Sequence, residues 1–289
     1  MKRPSAFCVC LVGTLGVPLA AAADVPAPAP TAPSAPSAPS APVAERPDDR
    51  LIFSVQGSSL EDAGDGGGGA VRWLHNVDTG TLIGAGADYQ TIAGAHWAFA
   101  SLSGSVTPEG QADGRWTFYG EVQQGSGDND AGSFSYSVFS AGVSRPLTSR
   151  LTLQLDDQQI DIDTTHGNLP KLSLVYLWNP HLLTSVSYMN SVSGNLGTDM
   201  GLARIDYFGQ AVNFLVGGAF GQASPAVIDL QSGAAFPGSR LKEVFVGLSK
   251  SFSSADWMLI ADYVDLEGTE RVTLTLNCTI HLRARGQSR

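Results

Sequence analysis

The sequence predicts an all-β protein, an antiparallel transmembrane β-barrel of about fourteen strands with twelve as the alternative count, set behind a disordered Ala/Pro-rich leader. Three observations carry that expectation. Charged residues make up only 15% of the 289 residues while apolar ones reach 43%, a low charge for a water-facing surface. Beyond the first twenty-odd residues no apolar run is long enough for a membrane-crossing helix. From Arg50 onward, segments of roughly eight to twelve residues alternate apolar and polar side chains between clusters of Gly, Asp, Asn, Pro and Ser.

The N-terminus addresses the chain for export. Lys2 and Arg3 precede an apolar stretch, Phe7 to Leu19, and Ala21-Ala22-Ala23 offers a small-residue cleavage site before Asp24. Residues 1–23 are therefore expected to be a signal peptide, too short for an anchor. Cys8 and Cys10 leave with it, so Cys278 is the single cysteine of the mature chain and no intrachain disulfide is expected. The mature chain keeps 15 Lys and Arg against 27 Asp and Glu, a balance that argues against a nucleic-acid partner. The expected partners are outer-membrane lipid and lipopolysaccharide, whose phosphates an acidic surface could meet through divalent cations.

Residues 24–49 are almost entirely Ala, Pro and Ser. Such a composition buries no core and favours an extended spacer of on the order of 3 Å per residue. It is expected in the periplasm, either as a tether to a partner or as a passive leader.

The barrel is assigned to residues 50–282 and a basic tail to 283–289. Its clearest strand is the last, with Val272, Leu274, Leu276, Cys278, Ile280 and Leu282 on one face and Thr273, Thr275, Asn277, Thr279 and His281 on the other. A period of two puts one face in lipid and the other in a polar lumen. By the same rule Trp116, Phe118 and Val122, then Phe134, Tyr136 and Val138, then Leu172, Leu174, Tyr176 and Trp178, and Val212, Phe214, Val216 and Phe220 are expected to face lipid. Aromatics near strand ends (Trp73, Tyr89, Tyr136, Tyr176, Trp178, Tyr207, Trp257, Tyr263) suit interfacial girdles. Short turns fall on the side of the termini, read as periplasmic. Loops 61–68, 126–132, 194–199 and 223–238 fall on the other, with Gly66–Gly69 read as flexible loop. Only 107–114 is long for a periplasmic turn. Barrel-assembly machinery is expected to read the last strand, although that strand lacks a terminal aromatic.

Projecting the polar positions inward gives a lumen lined by Arg72, Arg115, Lys171, Arg204 and Arg271 against Asp88, Glu121, Asp156, Asp206, Glu243 and Asp262. Such groups either set the ion preference of a channel or pair with one another and narrow it. The acidic run Asp156-Asp157-Gln158-Gln159-Ile160-Asp161-Ile162-Asp163, with His166 after it, breaks strict alternation. A bulge at Asp156–Asp157 would return Ile160 and Ile162 to lipid. The run is read as a solvated strand end, with a hydrolase site (Asp156, Asp157, Asp163, His166) or a Ca²⁺ site as competing readings. No Gly-x-Ser-x-Gly motif is present, the five histidines lack metal-ligand spacing, and neither metal nor cofactor nor catalysis is expected.

The stretch Gly217-Gly218-Ala219-Phe220-Gly221-Gln222-Ala223-Ser224-Pro225, followed by a loop and Glu243-Val244-Phe245-Val246-Gly247-Leu248, resembles the C-terminal barrel of YaiO-type outer-membrane proteins across residues 172–282. The resemblance implies an outer-membrane barrel sometimes found beside exopolysaccharide systems, with no catalytic residues. The expected function is a channel or export-associated barrel for a small or polymeric hydrophilic solute. The alternative is a closed anchoring barrel whose tether or 223–238 loop binds a partner.

Overall fold

The computed structural model describes residues 49–60, 64–78, 80–92, 95–108, 116–129, 132–162, 165–223, 239–252, 254–266 and 269–282. The expected signal peptide (1–23), almost all of the expected tether (24–49), the expected tail (283–289), Arg115, Asp163 and most of loop 223–238 lie outside them. Strands β1 (Asp49–Leu60), β2 (Gly64–Asn76), β3 (Thr81–Ile92), β4 (Ala95–Val106) and β5 (Thr117–Asn129) follow one another as hairpins. They continue with β6 (Gly132–Pro146), β7 (Leu151–Ile162), β8 (Thr165–Asn179) and β9 (Leu182–Asn190). After the two-residue β10 (Ser193–Gly194) come β11 (Asp199–Phe208), β12 (Asn213–Ala223), β13 (Ser239–Ser251), β14 (Ala255–Leu266) and β15 (Thr269–Leu282).

Every long strand pairs antiparallel with a neighbour on each side, the two-residue β10 pairs antiparallel with β8 alone, β8 pairs with β9, and β1 pairs with β15 from Asp49↔Leu282 to Leu60↔Arg271. The result is a closed barrel of fourteen strands. Closure removes the sheet edges, which is what a β-structure in hydrocarbon requires. On either side of the long connection at 107–114, most of which lies outside the described residues, β4 and β5 pair directly and Thr107 and Thr117 join their hydroxyls at 2.9 Å. The other turns at the terminal end are short. In the β2–β3 turn the Gly80 N–H donates to Asp78 Oδ1 at 2.8 Å, which holds that carboxyl below its usual range.

Around the middle of the barrel the outward side chains form an apolar belt. Val71 and Trp73, Phe118 and Val122, Leu172 and Leu174, Val244 and Val246, and Leu274 and Leu276 are all exposed. Trp73, Tyr89, Trp178, Tyr207, Trp257 and Tyr263 are exposed on this surface as well. At the terminal rim the Arg145 guanidinium lies 4.8 Å from the Trp116 ring centroid, a cation–aromatic pair suited to the headgroup level.

The belt does not run the whole length of β5–β8, and here the structure corrects the sequence reading. Phe134, Tyr136 and Val138 are buried inside the barrel while Ser133, Ser135 and Ser137 are exposed outside. From Phe139 the pattern reverses, with Phe139, Ala141 exposed outward. The β7 ladder to β6 and to β8 is continuous, so there is no bulge at Asp156–Asp157. Strict alternation carries Ile160 inward, where it is 1% exposed, and Asp157, Gln159 and Asp161 outward. On β5, Gln124, Ser126 and Asp128 are exposed above Phe118 and Val122. The upper parts of these strands therefore leave the apolar belt, and they do so by about six residues, roughly 20 Å of strand. In water the economical arrangement is apolar inside and polar outside, the opposite of the arrangement in lipid.

A second correction concerns Gly66–Gly69, which is no loop but part of β2, paired to both β1 and β3. Likewise β5 runs through 126–129 of the expected loop 126–132. Tyr136 belongs to the interior and not to an aromatic girdle.

The change of face is directly testable. Ala141→Arg, in the belt between Phe139 and Val143, should cost about 2–4 kcal/mol of stability in urea unfolding from lipid vesicles. Ser135→Arg, three positions nearer the far rim on the same face, should cost less than about 0.5 kcal/mol. Equal penalties at both sites would mean that the whole strand is immersed in lipid.

Candidate functional site

All fourteen long strands line the lumen, and its chemistry changes with height. At belt level it is polar and charged. Arg72 on β2 donates from Nη2 to Glu121 Oε1 on β5 at 2.7 Å, a bridge that passes through the interior because two strands lie between them. Gln123 Nε2 donates to the same carboxylate at 3.2 Å, and the Tyr136 hydroxyl donates to Gln123 Oε1 at 3.2 Å. Asp88 lies on the same inner wall, and its Oδ1 accepts no hydrogen bond among the described residues.

Asp156 sits among partners from three other positions. The Tyr119 hydroxyl donates to its Oδ1, Lys171 Nζ stands 3.4 Å from its Oδ2, and Gln154 Nε2 donates to the Tyr119 oxygen at 2.7 Å. The Tyr119 ring occupies the space over Gly142, where a Cβ would come within 2.4 Å of it. Farther round, Arg204 grips Asp206 through Nε at 2.9 Å and Nη2 at 2.5 Å. On β13, β14 and β15, Glu243, Asp262 and Arg271 are all buried, with Arg271 Nη2 3.5 Å from Asp262 Oδ2.

Of the eleven charged residues assigned to the lumen from sequence, ten are described, and their four cations each stand within ion-pair distance of a carboxylate. Charges drawn from water into a narrow polar interior are stabilised by such pairing. The lumen thus carries paired charge and presents no free cation among the described residues at this level.

Toward the far rim the lining becomes apolar. Leu60, Trp97, Phe134, Tyr136, Val138, Ile160, Leu169, Met189, Leu196, Met200, Leu241 and Val264 form one buried cluster, with Phe99 and Leu202 against it. They come from the far ends of β1, β4, β6, β7, β8, β9, β11, β13 and β14 and from the β10–β11 connection. Ile160, Met189, Val138, Leu196 and Val264 are at most 1% exposed, so the layer excludes water at its centre. Glycines make room for it. A Cβ on Gly127 would lie 2.5 Å from Phe134 Cζ and 2.6 Å from Trp97 Cβ.

This layer is the feature that the sequence reading missed. The signal was present in the change of alternation phase between Val138 and Phe139 and in the apolar Ile160 beyond Asp156–Asp157. The acidic run itself is divided by the wall, since Asp156 faces the lumen while Asp157, Asp161 and His166 are exposed outside. Asp157 Oδ2 there accepts a hydrogen bond from Asn168 Nδ2 at 3.2 Å. Asp163 lies outside the described residues. Among those described, no three His, Cys, Asp or Glu side chains converge as a metal-binding group.

The buried group on β13–β15 should be the most sensitive of the charged sites. Arg271→Met leaves Glu243 and Asp262 facing each other unneutralised and should cost about 3–5 kcal/mol. Arg72→Met breaks a bridge whose arginine is 37% exposed and should cost only about 1 kcal/mol. Urea unfolding in vesicles compares the two, and equal losses would contradict the difference in burial.

The sequence matches no family model and no curated protein. The fold is shared with known structures. The chain is similar to the CymD monoaromatic hydrocarbon channel, with a TM-score of 0.57 at 10% identity over 83% of this chain and 90% of that one. It is similar to the Pseudomonas putida toluene transporter TodX, with a TM-score of 0.51 at 9% identity over 82% and 92% of the two chains. A Pseudomonas aeruginosa FadL homologue gives 0.51 at 9% identity, again over 82% and 92%. These likenesses and the closed fourteen-strand ladder give the protein the fold of an outer-membrane β-barrel.

Proposed function

We propose that the protein is an outer-membrane channel whose apolar layer admits small apolar solutes, such as monoaromatic hydrocarbons, and turns ions away. The observation that carries this reading is the water-excluding layer across a lumen that is otherwise polar. An ion entering that layer sheds hydration without finding a partner, and a constriction of this kind dewets. An apolar solute gains there about 25 cal/mol for each Å² it withdraws from water. The pairing of every described cation at belt level also leaves little to attract a free anion. Proteins of similar fold described as hydrocarbon channels and a toluene transporter agree with this chemistry.

A hydrophilic polymer, the cargo implied by the YaiO resemblance, would have to cross the same layer, which weighs against the export reading. A role other than catalysis is consistent with the charges being engaged in pairs and with the acidic run being split by the barrel wall.

Two measurements test the proposal. In planar bilayers the full chain should give no steady ion conductance, whereas Ile160→Ser with Met189→Ser should give conductance steps. Cells with a lipopolysaccharide outer leaflet that produce the protein should accumulate labelled toluene several-fold faster than cells without it, and a sugar of similar size no faster. Steady conductance by the unaltered protein, or toluene uptake that is indifferent to its presence, would overturn the reading.

A further inference from the structure

The apolar layer is completed by one residue that no barrel strand supplies. β9 ends at Asn190, paired to Asp199 of β11, and pairs with β8 only as far as Lys171↔Met189. The upper part of β8, residues 165–170, thus has β7 on one side and no long strand on the other. Residues 191–198 fill that place. They run on along β8 in the direction of β9 with a one-residue shift of register, Ser193 and Gly194 forming β10 against Asn168 and Gly167. They then turn back toward β11, with the Ser191 N–H donating to Thr198 O at 2.8 Å, and they drop Leu196 into the layer with no exposed surface.

The attachment has two parts of different character. One is a set of hydrogen bonds at the exposed rim. Val192 N–H donates to Asn168 O at 3.1 Å, Asn195 N–H to His166 O at 3.0 Å, and His166 N–H to Asn195 Oδ1 at 3.0 Å. Asn168 N–H donates to Ser193 Oγ at 3.2 Å. Water can replace bonds in such a position at small net cost. The other part is Leu196 itself, seated against Gly167. A Cβ on Gly167 would lie 2.8 Å from Leu196 Cγ and 2.4 Å from Ser193 O. Gly194 and Gly197 flank the leucine with φ of +74° and +53°, a left-handed backbone that glycine adopts without a side-chain penalty. The segment therefore carries one apolar stopper between two glycine pivots.

We infer that residues 191–198 form the gate of the lumen, with Leu196 as the stopper that an entering apolar solute displaces. This rests on the channel reading above for its solute, though not for its geometry. Displacing Leu196 exposes Met189, Met200, Leu169 and Ile160, which share its cluster, so an apolar solute takes over the contacts that the leucine gives up. An ion offers no such exchange. The stopper thus couples opening to the chemistry of what enters.

The test locks the segment in place. In a chain with Cys8, Cys10 and Cys278 changed to serine, Asn168→Cys with Ser193→Cys places thiols at directly paired positions, where a disulfide can close. Oxidised cells should take up toluene at a tenth or less of the rate of the same cells after reduction. Uptake at the unlocked rate with the disulfide formed would overturn the gate while leaving the channel reading intact. Should the unaltered protein pass no toluene, the channel reading falls and conductance decides the gate alone. Gly167→Ala and Leu196→Gly, both checked for folding by heat-modifiable gel mobility, should then open ion steps that the parent lacks. Folded variants that stay silent would overturn it.

Discussion

Within the hydrocarbon of a bilayer no water is at hand to satisfy a backbone N–H or C=O, and each group left unpaired there costs several kcal/mol. A β-structure meets that demand only by closing its ladder, as β1 and β15 do over the whole length of β1. Closure fixes much more than the backbone. With a period of two and a continuous register, each residue is committed to the inside or the outside by its parity in the strand. Height along the barrel axis is the remaining variable, and it selects which solvent each face meets.

That second variable explains why one ladder carries opposite patterns. In the belt, lipid takes the apolar face, and the interior keeps Arg72, Glu121, Asp156, Lys171 and their partners. Beyond the belt the walls of β5–β8 stand in water, so serines, glutamines and aspartates move outside and Phe134, Tyr136, Val138 and Ile160 inside. The apolar layer is a soluble-type core built on top of a membrane-type barrel. A single continuous hydrogen-bonded strand joins the two without a bulge.

The charged residues obey the same constraint in another form. The lumen at belt level is surrounded by low-dielectric material, where an isolated charge is expensive and a paired one tolerable. Arg72 therefore reaches across the interior to β5, and Arg271 lies buried beside Asp262 and Glu243. Ion pairs below and an apolar layer above give the lumen two zones with different barriers to a solute.

The sequence by itself determined the antiparallel barrel, because alternation with turn residues is local and survives in one dimension. It also determined the last strand, whose alternation of apolar residues with Thr, Asn and His from Val272 to Leu282 closes the ring against β1. Parity alone put Lys171 and Ser173 opposite Leu172 and Leu174. The tertiary structure decided where lipid stops. Ser133–Val138 and Phe139–Val143 alternate in opposite phases, and no neighbour in sequence says which half lies in hydrocarbon. Only the assembled ring brings Val138, Ile160, Leu169, Met189 and Val264 to one level, and only there does Leu196, placed by the turn that follows β10 on β8, find apolar partners from distant strands. The physical reason is that a residue's face is set by covalent neighbours two apart, whereas its solvent is set by height in a closed ring.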